Sequence, residues 1–172
     1  MGAMESRALP EGVERVAASL RAAAHPHAPV LLDAAARTAQ QAANQLGVAL
    51  GQIAKSIIFR RKSDDAAVLV ITSGDRRVDE RKVAALVCSH GARLGRADAE
   101  FVKSRTGFSI GGVAPIAHTQ PLVTRIDREL FRFSEIRAAA GHPHAVFKLT
   151  PTDLQRLTAA PVDDVVEAPA AP

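Results

Sequence analysis

Val13, Val16, Ala17 and Leu20 recur at the three-and-four spacing of a buried helix face, which predicts an amphipathic helix over residues 11–24. The segment His25-Pro26-His27-Ala28-Pro29 ends it, because each proline removes an amide donor and fixes its own φ. Residues 30–32 (Val-Leu-Leu) then read as a short strand. Thr38, with Gln41 three positions on, forms a capping box for an Ala-rich helix that Gly47 closes. A short helical turn is expected around residues 50–53.

The most strand-like part of the chain follows. Residues 56–60 and 67–72 are near-continuous apolar runs on either side of Lys62-Ser63-Asp64-Asp65, the pattern of a hairpin whose strands are buried on both faces. Asp79 can cap a helix carrying Val83, Leu86 and Val87, with Gly91 as its stop. Asp98 can cap another through Phe101 and Val102, with Gly107 as its stop. Residues 122–126, 135–138 and 145–149 read as strands, and Thr150-Pro151 opens a last helix. Strands and helices interleave without a strict one-to-one repeat. This predicts an α/β fold, a single mixed-sheet domain with surrounding helices, rather than a doubly wound parallel sheet. The domain is expected over residues 4–167. Met1-Gly2-Ala3 reads as a cloning scar ahead of a start at Met4, and residues 168–172 as a frayed Ala/Pro tail.

Composition narrows the chemistry. The 172 residues are 47% hydrophobic but only 3% aromatic, with no Trp and no Tyr, so the core must be aliphatic. Six Phe are too few for a module that stacks successive bases on aromatic platforms; any nucleic acid is better held by charge and backbone contacts. The net charge of +4 permits a phosphate-bearing partner without requiring one. A single cysteine, Cys88, excludes an internal disulfide and favours a reducing compartment, hence the cytoplasm. No apolar run approaches the roughly 20 residues of a membrane span.

Four features could carry chemistry. In Gly107-Phe108-Ser109-Ile110-Gly111-Gly112-Val113-Ala114-Pro115, two adjacent glycines allow close backbone approach and Pro115 stiffens the far end. Such a loop can aim several N–H groups at an oxyanion or a phosphate, although an ordinary glycine-rich turn is the commoner outcome of this spacing. Lys55 lies where an apolar strand begins, either as a solvated strand end or as a cation aimed into a cleft. His142, in Gly141-His142-Pro143-His144, is an exposed turn residue or a group that orients a substrate. Cys88-Ser89-His90 is a poor catalytic pair, since residues two apart on a helix diverge, and Cys88 is expected as a small core residue. The histidine pairs do not match a zinc pattern, and no metal or cofactor is called for.

Taken in order, however, several segments together resemble one family. They are Thr38…Gly47-Val48…Gly51-Gln52-Ile53-Ala54-Lys55-Ser56, Gly74-Asp75-Arg76-Arg77-Val78-Asp79, Ser104-Arg105-Thr106-Gly107-Phe108, Gly111-Gly112-Val113-Ala114-Pro115-Ile116, Ala139-Ala140-Gly141-His142-Pro143 and Leu149-Thr150-Pro151-Thr152-Asp153-Leu154. The ordered set is similar to the YbaK-like, prolyl-tRNA synthetase-associated editing domains, from about residue 12 to 167. The resemblance implies a freestanding, trans-acting deacylase of mischarged tRNA that binds the acceptor end of an aminoacyl-tRNA. It leaves room for the cognate synthetase as a second partner. It places the essential lysine at Lys55 and the glycine-proline loop at Gly111, Gly112, Val113, Ala114 and Pro115. Ser56, Ile58, Ser109 and His142 are then expected near the amino acid, a small one: Ala, Ser, Thr, Cys or 2-aminobutyrate on tRNA for proline. The competing readings are a nucleic-acid-binding regulator without chemistry, using Arg76, Arg77, Arg81 and Lys82, and a hydrolase of another small aminoacyl ester.

Overall fold

A computed structural model describes residues 8–169. The expected scar at Met1–Ala3 lies outside the described residues, as do positions 170–172 of the expected tail. The helices are α1 (Glu11–Ala22), α2 (Ala39–Leu46), α3 (Glu80–Val87), α4 (Ala99–Thr106) and α5 (Pro151–Thr158). The strands are β1 (Val30–Leu31), β2 (Ile53–Arg61), β3 (Ala66–Ser73), β4 (Leu94–Arg96), β5 (Val123–Asp127), β6 (Ile136–Ala139), β7 (Ala145–Leu149) and β8 (Val162–Asp163). They form one mixed sheet in the order β1-β7-β6-β2-β3-β5-β8, with β4 paired to β2 off that path. This is the single mixed α/β sheet that the interleaved pattern predicts.

β3 shows why the sheet is central. Alternate side chains of a strand face opposite ways. Leu69 and Ile71 enter the main core with α1 and Phe147, while Val68 and Val70 pack against Val83, Val165 and Val166. All four are fully buried. β2 departs from the same expectation: only Ile53 and Ala54 are buried, and most of the rest is half-exposed. The cause lies in its pairing. On the edge away from β3, β2 meets β6 in parallel at Ile53 and Ala54, then β4 in antiparallel from Phe59 to Arg61. Between those contacts, residues 55–58 face no strand on that edge.

Side-chain caps fix most helix starts. Thr38 accepts from the Gln41 amide at 3.1 Å, but the Gln41 side chain accepts from Arg37 rather than from Thr38, so the expected box is displaced by one residue. Thr150 and Asp153 form the full reciprocal box with Pro151 at the first position. Asp98 caps α4, and Gly107 at φ +79° stops it as expected. α3 is capped by Asp79 but ends at Val87, four residues before Gly91, because Cys88 is extended at φ −110° and ψ 149°. Cys88 is half-buried at that end and not a core residue. β4, β8 and the 3-10 turn at Arg128–Arg132 are too short to leave a periodic signal.

One buried carboxylate ties the strand ends together. Asp127, at the end of β5, accepts from the Thr72 hydroxyl at 3.1 Å, the Ser73 amide at 3.0 Å and the Glu129 amide at 2.8 Å. Thr72 lies opposite Lys55 in the β2–β3 register, so this clamp stands beside that lysine. Asp127→Ala strands three donors, two of them in the buried interior. It is expected to cost about 3 kcal/mol of unfolding free energy in a urea titration; a loss below about 0.5 kcal/mol would contradict the clamp.

Candidate active site

The unpaired stretch of β2 opens into a cavity of about 350 Å³. The register explains what lines it. In parallel pairing, Arg137 lies beside Ile53, and strand alternation puts Lys55 on the same sheet face as Ile53. α2 covers that face through Ala42 and Ala43. Ser56 shares the opposite face with Ala54 and Ile58, which pack in the main core with Val113 and Ala114 of the glycine loop. Residues from both faces line the cavity: Lys55 and Arg137 from one, Ser56, Gly111 and Val113 from the other, with His142 from the β6–β7 turn. The remaining wall is largely small and apolar, including Ala36, Ala39, Ala42, Ala145 and Val146.

Each polar group has a defined state. Lys55 Nζ donates to the Arg76 carbonyl at 3.2 Å. Burial holds its pKa below the ordinary lysine value, against a smaller opposing pull from the Asp75 and Asp127 carboxylates. Asp75 is itself gripped by Arg132 at 2.7 Å, which keeps its carboxyl below the usual carboxylate range. His142 Nδ1 accepts from the His144 amide at 3.1 Å. The neutral ring therefore carries its proton on Nε2 and is a donor, not a base. The Ser56 hydroxyl is buried and has no hydrogen-bond partner among the described residues.

The glycine loop is braced from behind. Arg15 of α1 donates to the Ala117 carbonyl at 2.9 Å and to the Thr106 carbonyl at 3.2 Å, and its guanidinium lies 4.3 Å from the centre of the Phe108 ring. His118 Nε2 donates to the Ala114 carbonyl at 2.7 Å, and burial lowers the pKa of that ring. Gly111 adopts φ +93°, a conformation that a side chain disfavours. Gly112 donates its amide to the Ser109 carbonyl at 3.0 Å. The amides of Gly111 and Val113 have no hydrogen-bond partner among the described residues.

With this geometry in hand, comparison with known proteins is decisive. Residues 33–157 match the model of the aminoacyl-tRNA editing domain. The chain belongs to that family. The editing domain is 31% identical over 121 residues to the uncharacterized protein YwhH of Bacillus subtilis, covering 70% of this chain and 74% of that one. It is 34% identical over 113 residues to a proline--tRNA ligase of Pelotomaculum thermopropionicum, covering 66% of this chain but only 18% of the ligase. A solved structure described as a candidate trans-editing enzyme for prolyl tRNA synthetase superposes with a TM-score of 0.85 at 38% identity, over 94% of this chain and all of that one.

Of the residues singled out in the sequence, the editing domain brings Lys55, Ser56, Gly111, Val113 and His142 to the cavity. Others lie elsewhere. Ile58 points into the main core, and Ile57, one residue earlier, lines the cavity in its place. Ala114 is fully buried in the core. Pro115 lines a separate surface depression beside His118, and Ser109 is exposed outside the cavity. Gly112 is not among the lining residues and packs against the His142 backbone. Two lining cations, Arg37 and Arg137, were not singled out. Arg137 carried the same signal as Lys55, a lone cation inside an apolar strand.

Gly112 also sets the distance to His142. A Cβ there would fall 2.8 Å from His142 Cα and 2.9 Å from its amide nitrogen, backbone atoms that cannot swing aside. Gly112→Ala is expected to cost about 1–3 kcal/mol and to shift the His142 ring resonances in NMR. Wild-type stability with unmoved resonances would contradict this packing.

Proposed function

We propose that the chain is a deacylase that hydrolyses the ester of a small amino acid mischarged on tRNA, with tRNA for proline as its substrate. The observation that carries this reading is one small, largely apolar cavity lined by a half-buried lysine, an arginine, and Gly111 and Val113, whose amides have no hydrogen-bond partner among the described residues. Such a wall accepts a short side chain, and the cations attract the phosphate and ribose of a terminal nucleotide. The similarity to proline--tRNA ligases and to the candidate trans-editing enzyme supports the choice of tRNA.

In this reading the ester carbonyl oxygen faces the Gly111 and Val113 amides. Water attacks the carbonyl carbon, and the oxygen gains charge where the amides point. Losing one such donor costs about 3–4 kcal/mol of transition-state stabilisation. Collapse expels the ribose oxygen, which takes up a proton, leaving the free amino acid and the tRNA hydroxyl. The His142 Nε2–H can hold a ribose or side-chain oxygen but cannot take the water's proton while Nδ1 accepts from His144. A vicinal ribose hydroxyl that positions the water fits the resemblance to the editing family. Ser109 lies outside the cavity, so Ser56, Thr38 and His142 are the groups on the wall that could meet a substrate hydroxyl.

The regulator reading loses part of its basis. Lys82 is bound to Asp164 at 3.0 Å and to the Val166 carbonyl at 2.8 Å, and Arg76 pairs with Asp75 and Glu129.

The test is a deacylation screen of tRNA for proline carrying Ala, Ser, Thr, Cys or 2-aminobutyrate, with a simple aminoacyl ester as control. The expected result is hydrolysis of at least one mischarged tRNA well above the ester control. Lys55→Ala should lower kcat/KM about a hundredfold and Arg137→Ala about tenfold, the range expected when a charged partner is removed from a dry site. Unchanged rates in both variants would remove the roles assigned to them.

A further inference from the structure

The cavity is rich in positive charge and in donors, and that bears on a part of the substrate not yet considered. In an aminoacyl ester the α-nitrogen is attached to the carbon next to the carbonyl, within about 3 Å of it by bond geometry. If the carbonyl oxygen meets Gly111 and Val113, the nitrogen lies in the same cavity. The groups waiting there are Lys55, Arg37, Arg137 and the Nε2–H donor of His142. Among the described residues, no carboxylate lines the cavity.

The carboxylates on neighbouring elements are already engaged. Asp75 is held by Arg132 and Ser73, and Glu129 by Arg132 at 3.2 Å and Arg76 at 3.7 Å. Asp127 accepts from three protein donors. Glu135 pairs with Lys148 at 3.1 Å and with Arg137 at 3.9 Å. Of the hydroxyls on the wall, Thr38 already accepts from Gln41, whereas the buried Ser56 hydroxyl is unmatched. A hydroxyl suits a neutral amine or another hydroxyl. It does not neutralise an ammonium beside a wall that carries Lys55, Arg37 and the Glu135-paired Arg137 and no carboxylate of its own.

We propose that the cavity takes the acyl group with its α-position uncharged, so that its substrates include α-hydroxyacyl esters of tRNA as well as aminoacyl esters in their free-amine form. The proposal rests on the deacylase reading above and deepens it. A like charge at about 7 Å in an effective dielectric of about 20 disfavours binding by more than about tenfold. An α-amino group titrates near about pH 7.7–8.0, so an ester's amine is largely protonated at pH 6 and largely neutral well above that range.

The experiment compares one tRNA carrying alanine with the same tRNA carrying lactate. The two acyl groups have nearly the same shape, with a hydroxyl in place of the ammonium. Each enzymatic rate is divided by the spontaneous rate at the same pH. The expected result is a preference for lactyl-tRNA of about tenfold at pH 6 that shrinks by pH 8.5 as the amine loses its proton. Arg137→Gln should narrow the gap at pH 6, a change that a purely structural role for Arg137 would not produce. Alanyl-tRNA turned over as well as lactyl-tRNA at pH 6, or a gap independent of pH, would overturn the proposal and leave the deacylase reading standing. Hydrolysis of neither ester would bring down both.

Discussion

β2 changes neighbours halfway along its length, and the site depends on that change. A strand inside a sheet normally has both edges satisfied by partners. Here β6 serves the first two residues and β4 the last three, and the edge between them is bare. A continuous sheet would seal Lys55 on one face and the glycine loop on the other. The interruption lets both faces contribute to one cavity and keeps it small and mostly apolar. It also leaves Lys55 half-buried, where its charge is poorly solvated and a bound anion is correspondingly more valuable.

An interrupted sheet is mechanically weak unless it is reinforced, and the reinforcement lies behind the wall. Asp127 locks the ends of β3 and β5 beside Lys55. Arg15 and His118 hold the carbonyls of residues 106, 114 and 117, so that the loop's backbone is fixed by groups that never touch the cavity. Gly112 sets the loop against the His142 turn at backbone contact distance. The Gly111 and Val113 amides have no hydrogen-bond partner among the described residues, and the proposed mechanism uses them to stabilise developing charge.

Much of this was legible in the sequence because it depends on local rules. The caps at Thr38, Asp79, Asp98 and Thr150, the stops at Gly47 and Gly107, and the apolar run of β3 each follow from neighbours within a few residues. What depended on pairing was not legible. The half-exposure of β2 and the placement of Ile57 rather than Ile58 at the cavity follow from which strand lies alongside, and no local pattern records that. Arg137 became part of the site through its register with Ile53. Ala114 and Pro115 were drawn in by the ordered resemblance to the editing family, but the loop that lines a wall with Gly111 and Val113 turns Ala114 into the core and Pro115 toward a separate depression. Gly91 failed as a stop because Cys88 had already left the helix.

In the proposed mechanism the amides of Gly111 and Val113 receive the acyl carbonyl while Lys55 and Arg137 hold the nucleotide. The decisive observation is a crystal structure of the chain with 3′-amino-3′-deoxyadenosine acylated through a stable amide by alanine. The expected outcome is the amide's carbonyl oxygen within about 3 Å of both backbone nitrogens, with the ribose toward the two cations. An analogue bound outside the cavity, or with its carbonyl turned away from that loop, would contradict the mechanism.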